Sequence, residues 1–480
     1  MATDAAPTDN ARADNAPTVQ ELLSRDTRPV PAPLLDDEWH DQGTVDVPRS
    51  RYTSPAFAEL ENEYLWTRTW QFGCMEVDIA EPGDYAVYDV ADQSLLISRQ
   101  ADGSIKAYHN SCLHRGTKLR VEGGKANQFK CPFHGWTWSN EGTLVDLPAE
   151  WDFPQIWGDP SSCLPEAKVA TWAGFVFVNM NPDAEPFDTY AGKLIEHFGE
   201  AFDFDQRFRA MHTVKEVPAN WKVCMEAFSE GYHVIATHPQ ILDFCADSNS
   251  QYSIWADSPH VTRFHNAFGV QSPHLGGIDE QRVADSYHAF RPERAGQAQA
   301  IVPEGGSARA VTAENFRTHL SGVFGRDLGA YSDAEVLDAI LYHLFPAFAP
   351  WAGVSQTLIY RWRPGATPDT CFMDVIRLQL RPDEGPMPEP GEMVELTLDQ
   401  DWDESPGMGS LAAVFEQDMA NLPKVQQGLK SKGKKGVSFA RYQEGRLRHL
   451  HRLIDRYIDE GLAADGRDTA ELDPYRVPSG

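Results

Sequence analysis

Hydrophobic and polar positions change their period near Pro182. Upstream, from about residue 84 to 179, short apolar runs are separated by turn residues. They cover 85–88, 94–97, a stretch reaching Tyr108 after the turn Ala101-Asp102-Gly103, 128–130, 136–138 and 171–179. Such runs predict strands, hence a small all-β domain. Downstream, Trp221, Cys224, Met225, Phe228, Tyr232 and Ile235 fall at helical spacing, predicting a helix over 220–237. Residues 341–345, 357–362 and 374–380 predict strands of a second, antiparallel sheet. Helices are expected again over 409–422, where Pro423 should end or kink the run, and over 446–458. Residues 270–335, rich in Gly, Ser, Ala and polar residues, are expected to form long loops or a lid. Residues 1–28, rich in Ala, Asp, Asn, Thr and Pro, are expected to be a disordered tail.

Composition narrows the class of function. With 42 basic against 71 acidic residues the net charge is −29. That balance argues strongly against a nucleic-acid surface, since binding its phosphates needs clustered Lys and Arg, and more weakly against docking to anionic lipid. No run approaches the roughly 20 apolar residues that cross a bilayer, and the N-terminus lacks the basic start and apolar core of a signal peptide. The seven cysteines are scattered, so a cytoplasmic protein with mostly free thiols is expected.

The sharpest chemical signal is Cys112-Leu113-His114, then sixteen residues, then Cys131-Pro132-Phe133-His134. Two thiolates and two imidazoles can hold zinc tetrahedrally. They can equally hold a [2Fe–2S] cluster in which two histidines replace two cysteines on one iron. A single residue between Cys112 and His114 is tight for zinc-finger pairs, which more often leave two to four.

A second constellation follows. Glu226, Glu230 and His233 share one helical face, which a solvated amphipathic helix would also produce. His238 lies five residues after His233, so a shared metal requires the helix to bulge or end between them. Pro239 favours an ending. A carboxylate would complete a 2-His-1-carboxylate triad, which leaves positions open on iron. Asp418 is the candidate, because Leu411, Val414, Phe415 and Leu422 share its face of a helix and a buried carboxylate there needs a partner. An Arg or Lys is the alternative partner. Ile241, Leu242, Phe244 and the stretch 344–351 are candidates for an apolar pocket or for ordinary core.

The segments Cys112-Leu113-His114-Arg115-Gly116, Cys131-Pro132-Phe133-His134-Gly135-Trp136, Asn220-Trp221-Lys222 through His233 and His238, and Gln417-Asp418 with Gln426-Gln427-Gly428 together resemble the large subunit of Rieske non-haem iron aromatic-ring-hydroxylating oxygenases. The resemblance covers about residues 52–458. It implies an α+β chain: an all-β Rieske domain over 50–180 and a helix-grip catalytic domain with a large antiparallel sheet over 181–480, on which 29–49 packs. It further implies that Cys112 and Cys131 bind one cluster iron, that His114 and His134 bind the other, and that His233, His238 and Asp418 bind a mononuclear Fe(II). Glu230 then takes the place of the family's inter-subunit electron bridge; most members have Asp there, whereas some relatives acting on quaternary ammonium compounds have Glu, as here. Asn220 and Glu226 would support the site from behind.

The implied activity is oxidation of an aromatic or other hydrophobic substrate by O2. Electrons come from NAD(P)H through a reductase and a possible ferredoxin, in a trimer with or without a small β subunit. A monooxygenase or demethylase, and a zinc-binding or electron-transfer protein, are the alternatives.

Overall fold

The apolar run 171–179, expected as one strand, turns back on itself. Ala173 and Gly174 both take positive φ, 50° and 82°, the conformation of a two-residue hairpin turn whose twist matches its strands. Glu166–Trp172 and Phe175–Asn179 therefore pair antiparallel, Trp172 opposite Phe175. Every residue of the second strand is buried, which is why the run read as continuous.

The computed structural model describes residues 16–290, 300–354 and 357–478. One compact unit is Glu59–Thr189, and the chain on either side of it forms the other. In the first unit seven strands lie in the order Gln71–Met75, Phe175–Asn179, Glu166–Trp172, Ile105–His109, Gln93–Arg99, Asp84–Val90 and Gly124–Lys125. A three-stranded sheet of Gln128–Lys130, Thr137–Ser139 and Leu144–Asp146 carries the second Cys-His loop. Phe129, Trp136, Trp138 and Tyr108 are buried in one core with Cys112 and Cys131.

The second unit is built on eight strands in the order Gln251–Ile254, Val261–Asn266, Ala339–Leu344, Phe348–Ala352, Leu358–Pro364, Cys371–Leu380, Arg207–Val217 and Met393–Leu396. All pairs are antiparallel except the last. The helix Gly445–Ala464 buries Leu450, Ile454 and Ile458. Among the described residues no helix is long and apolar enough to cross a membrane.

Several expectations need correction. Residues 1–15 lie outside the described residues, but 16–28 are not a tail. Val19–Leu23 is a helix closed by a capping box of Thr18 and Glu21, with Val19, Leu22 and Leu23 buried. Thr27 N donates to Asp333 Oδ2 at 2.9 Å, tying the segment down further. Residues 291–299 lie outside the described residues, and the described part of 270–335 is not loop throughout. It contains Glu280–Ala289, capped by Asp279, and Ala308–Phe324, capped by Ser307 and ended by Gly325 at φ 62°. Tyr287 stacks on Phe316 with ring centroids 5.2 Å apart, and Val283, Ala284, Ala308 and Ala313 are buried in the same core. The run over 409–422 is two helices, Leu411–Met419 and Leu422–Leu429. Pro423 sits in the first turn of the second, where its missing N–H is not needed. The compact units divide at residues 59 and 189.

Candidate metal centres and cavity

The two Cys-His loops share one backbone plan. Cys112 N donates to Thr117 O at 2.9 Å and Gly116 N to Cys112 O at 2.8 Å; Cys131 N donates to Trp136 O at 2.8 Å and Gly135 N to Cys131 O at 3.1 Å. Gly116 and Gly135 both hold left-handed φ, 77° and 82°, which side-chain-bearing residues seldom adopt. These turns bury both sulfurs and bring His114 Nδ1 and His134 Nδ1 to 3.1 Å. His114 stacks on Trp136, with interplanar angle 9° and centroids 5.0 Å apart. His134 is exposed. Burial pushes both thiols up, and Cys112 stays raised. At Cys131 the N–H groups of Phe133 and His134 outweigh burial and hold the thiol below its ordinary value. Two buried sulfurs supplied with backbone donors, and two imidazoles facing one point, fit a cluster with unlike ligation at its two irons.

The expected helix over 220–237 breaks. Trp221–Ala227 is capped by Asn220, whose side chain accepts from Lys222 N at 3.1 Å. The chain then passes Gly231, where a Cβ would lie 2.9 Å from Asp247 O, so only glycine fits there. A single turn, Val234–Thr237, follows and stops at His238 before Pro239. This break lets His233 and His238 face the same point. His238 Nε2 lies 3.1 Å and His233 Nε2 3.7 Å from Asp418 Oδ1. The three residues offer ligand atoms that all lie within 4.8 Å of one another.

Each histidine is oriented from its far side. His233 Nδ1 meets Glu230 Oε1 at 2.8 Å, and His233 N donates to Glu230 Oε2 at 3.0 Å. His238 Nδ1 meets Gln417 Oε1 at 2.8 Å, an oxygen that also accepts from Gln240 Nε2 at 2.7 Å. Both acceptors, a carboxylate oxygen and an amide carbonyl, select the Nδ1–H tautomer of the neutral ring and leave its Nε2 free to bind a metal. Burial works against a charged His233, but Glu230 and Asp418 outweigh it and hold its pKa above the ordinary value. Asp418 is 5% exposed, and its ion-pair partners among the described residues are these two histidines. Two imidazoles and one carboxylate fit a non-haem iron with open positions.

Glu226 is not on a solvated face. Tyr52 Oη donates to its Oε1 at 2.9 Å, and His451 Nε2 lies 2.9 Å from the same oxygen. Arg51 Nε donates to His451 Nδ1 at 3.0 Å, so the ring proton sits on Nε2 and the imidazole is neutral. Burial, then Arg51, holds His451 well below its usual range. Burial pushes Glu226 up to about 8 against the donation from Tyr52. Glu444, also raised chiefly by burial, reaches about 7, with Glu230 adding to the rise. Asn220 acts through the helix cap and through Pro368 O, to which its Nδ2 donates at 2.9 Å. Sequence reading gave no role to Gln417, Tyr52, His451 or Glu444; only Gln417 carried a signal, its place beside Asp418.

A cavity of about 690 Å³ opens on His233, His238 and Asp418. Phe228, Tyr360, Phe415 and Trp351 form an aromatic wall, with Phe228 5.4 Å from Tyr360 and 5.2 Å from Phe415 between ring centroids. Ile241 and Trp351 line it as candidates from sequence, whereas Leu242 and Phe244 pack in the neighbouring core.

Residues 204–460 match the family described as ring hydroxylating alpha subunit (catalytic domain), and residues 69–156 match the Rieske [2Fe-2S] domain. The carnitine monooxygenase oxygenase subunit of Acinetobacter pittii (strain PHEA-2) is 32% identical over 245 residues, 51% of this chain. The match spans 65% of that relative's own length. A quaternary ammonium Rieske monooxygenase solved with L-carnitine has a TM-score of 0.58 at 20% identity, covering 86% of this chain and 95% of its own. Naphthalene 1,2-dioxygenase solved with indole reaches 0.60 at 18% identity, covering 90% and 97%. At such identities these likenesses establish the fold, α+β with a large antiparallel sheet. The catalytic-domain match extends over more than half of the chain, and by that measure the chain belongs to the ring-hydroxylating alpha subunits and carries a Rieske [2Fe–2S] domain.

Proposed function

We propose that this chain is the oxygenase component of a multicomponent Rieske oxygenase that hydroxylates an aromatic or other hydrophobic substrate. Cys112 and Cys131 hold one cluster iron and His114 and His134 the other, while His233, His238 and Asp418 hold the mononuclear iron. When bound, the cluster supplies single electrons and the mononuclear iron supplies the place where O2 is activated. The observation that carries the reading is the convergence of His233, His238 and Asp418 on one side of an aromatic-walled cavity.

The chain's own residues supply orientation and dryness. Glu230 and Gln417 select the tautomer of each neutral imidazole that leaves its Nε2 unprotonated. Phe228, Tyr360 and Phe415 hold a ring against the metal-binding atoms and keep water off that wall. Glu230 also serves as the bridge to a Rieske histidine of a neighbouring copy in a trimer, with or without a small β subunit. Electrons reach the chain from NAD(P)H through a reductase, with or without a ferredoxin.

A second reading, monooxygenation or demethylation including quaternary ammonium substrates, is favoured by the likeness to the carnitine enzyme. Aromatic faces such as Phe228 and Tyr360 also attract cations. The test is turnover with a reductase, NADH and isotopically labelled O2. Substrate-dependent oxygen uptake supports the function, and two labelled oxygens per product mean dioxygenation while one means monooxygenation. Absence of uptake across aromatic and quaternary ammonium panels contradicts both readings.

A further inference from the structure

The wall of the cavity contains a buried acceptor that no described residue satisfies. Asn266 ends the strand Val261–Asn266, is 3% exposed and lines the cavity. Its Nδ2 donates to Cys245 Sγ at 3.2 Å, which turns Oδ1 away from that contact, and Oδ1 has no hydrogen-bond partner among the described residues. Cys245 is itself buried, and burial pushes its thiol up, so the sulfur meeting Nδ2 is uncharged. Apolar side chains flank the amide. Phe264 and Phe268 lie on either side of it in the chain and line the same cavity, and Ala339 pairs with Asn266 across the sheet. A buried carbonyl in such surroundings is costly until a donor reaches it.

We propose that Asn266 is a specificity-determining residue whose Oδ1 accepts a hydrogen bond from an O–H or N–H group of the substrate, while Phe228, Tyr360 and Phe415 hold its ring. The favoured substrate class is then a neutral ring compound bearing a hydroxyl or an N–H, ahead of a bare hydrocarbon. This rests on the cavity being the substrate site proposed above. The physical ground is the asymmetry of buried hydrogen bonds: a site built to receive a donor rejects an analogue that lacks one, because its own acceptor is left dry and unpaired.

Indole and indene test it directly, since they are fused bicycles of the same outline and only indole carries a polar N–H. Indene is the more hydrophobic, so a preference for indole reports the hydrogen bond rather than burial. Affinities are measured by titration calorimetry on the anaerobic holoenzyme and on Asn266→Leu. Wild type is expected to bind indole about tenfold more tightly than indene, and Asn266→Leu to bind the two within about twofold. Equal affinities in wild type, binding of neither compound, or a preference that survives in Asn266→Leu overturns the proposal. The wild-type comparison decides even where the variant fails to fold. Iron analysis of the same wild-type sample reads the metal assignment separately, so failure of that assignment is distinguishable from failure at Asn266.

Discussion

Glu230 grips His233 twice, through Nδ1 at 2.8 Å and through the backbone N at 3.0 Å. Both oxygens of one carboxylate are thereby committed to the residue next to the metal-binding atoms. The grip fixes the ring and its tautomer, and it is separate from any bridging role. Glu230→Ala should lower iron affinity by about tenfold to a hundredfold, whereas Glu230→Gln, which keeps an acceptor for Nδ1–H, should stay within about threefold of wild type. With iron restored by excess metal, Glu230→Ala should lose NADH-driven turnover and largely keep peroxide-driven turnover. Normal NADH-driven turnover in that variant would remove the bridge.

Gln417 does for His238 what Glu230 does for His233, through a neutral amide. Gln417→Leu removes that acceptor and allows the imidazole to place its proton on Nε2. Iron affinity measured by chelator competition should fall by about tenfold or more. An unchanged affinity would show that the Gln417 contact contributes nothing to metal binding.

Asp418 and the cysteine–histidine loops belong to different compact units, so their metals should be lost independently. Asp418→Ala should reduce iron from about three to about two per chain while leaving the cluster's visible spectrum intact. Bleaching of the cluster in that variant would contradict the division of ligands proposed here.

Glu226 provides a pH test. An unfolded Glu releases its proton near 4.5, but the buried carboxyl holds it up to about 8. The folded chain therefore binds more protons across that window, and its stability falls as pH rises from the lower value through the upper one. Glu226→Gln keeps an oxygen for Tyr52 and His451 without the charge. Between about pH 5 and pH 8.5 the variant's Tm should gain roughly 2–6 °C relative to wild type. A constant difference in Tm across that range would mean that Glu226 is ionised in the folded protein.

The candidate metal-binding loops were legible because residues able to ligate a metal recur there at fixed spacing around a turn. Cys112, His114, Cys131 and His134 carry that spacing in the sequence. Asp418 was legible as a charge on an apolar helical face. The polar partners were not. Gln417, Tyr52 and His451 reach the site from positions hundreds of residues away from their partners or by one step along a helix, and no periodicity marks them. The break after Ala227 was half legible: Pro239 signalled an ending. The earlier interruption depends on Gly231 passing close to Asp247 O, a long-range contact. The docked N-terminal helix was hidden by a polar composition in which only Val19, Leu22 and Leu23 go inside.

The most direct test of the account is the visible and EPR spectra of the anaerobically purified protein, oxidised and dithionite-reduced, with iron, zinc and sulfide analysis. The account predicts a Rieske signal in the reduced sample, with about three irons and two sulfides per chain. A colourless protein containing zinc and no acid-labile sulfide would contradict it.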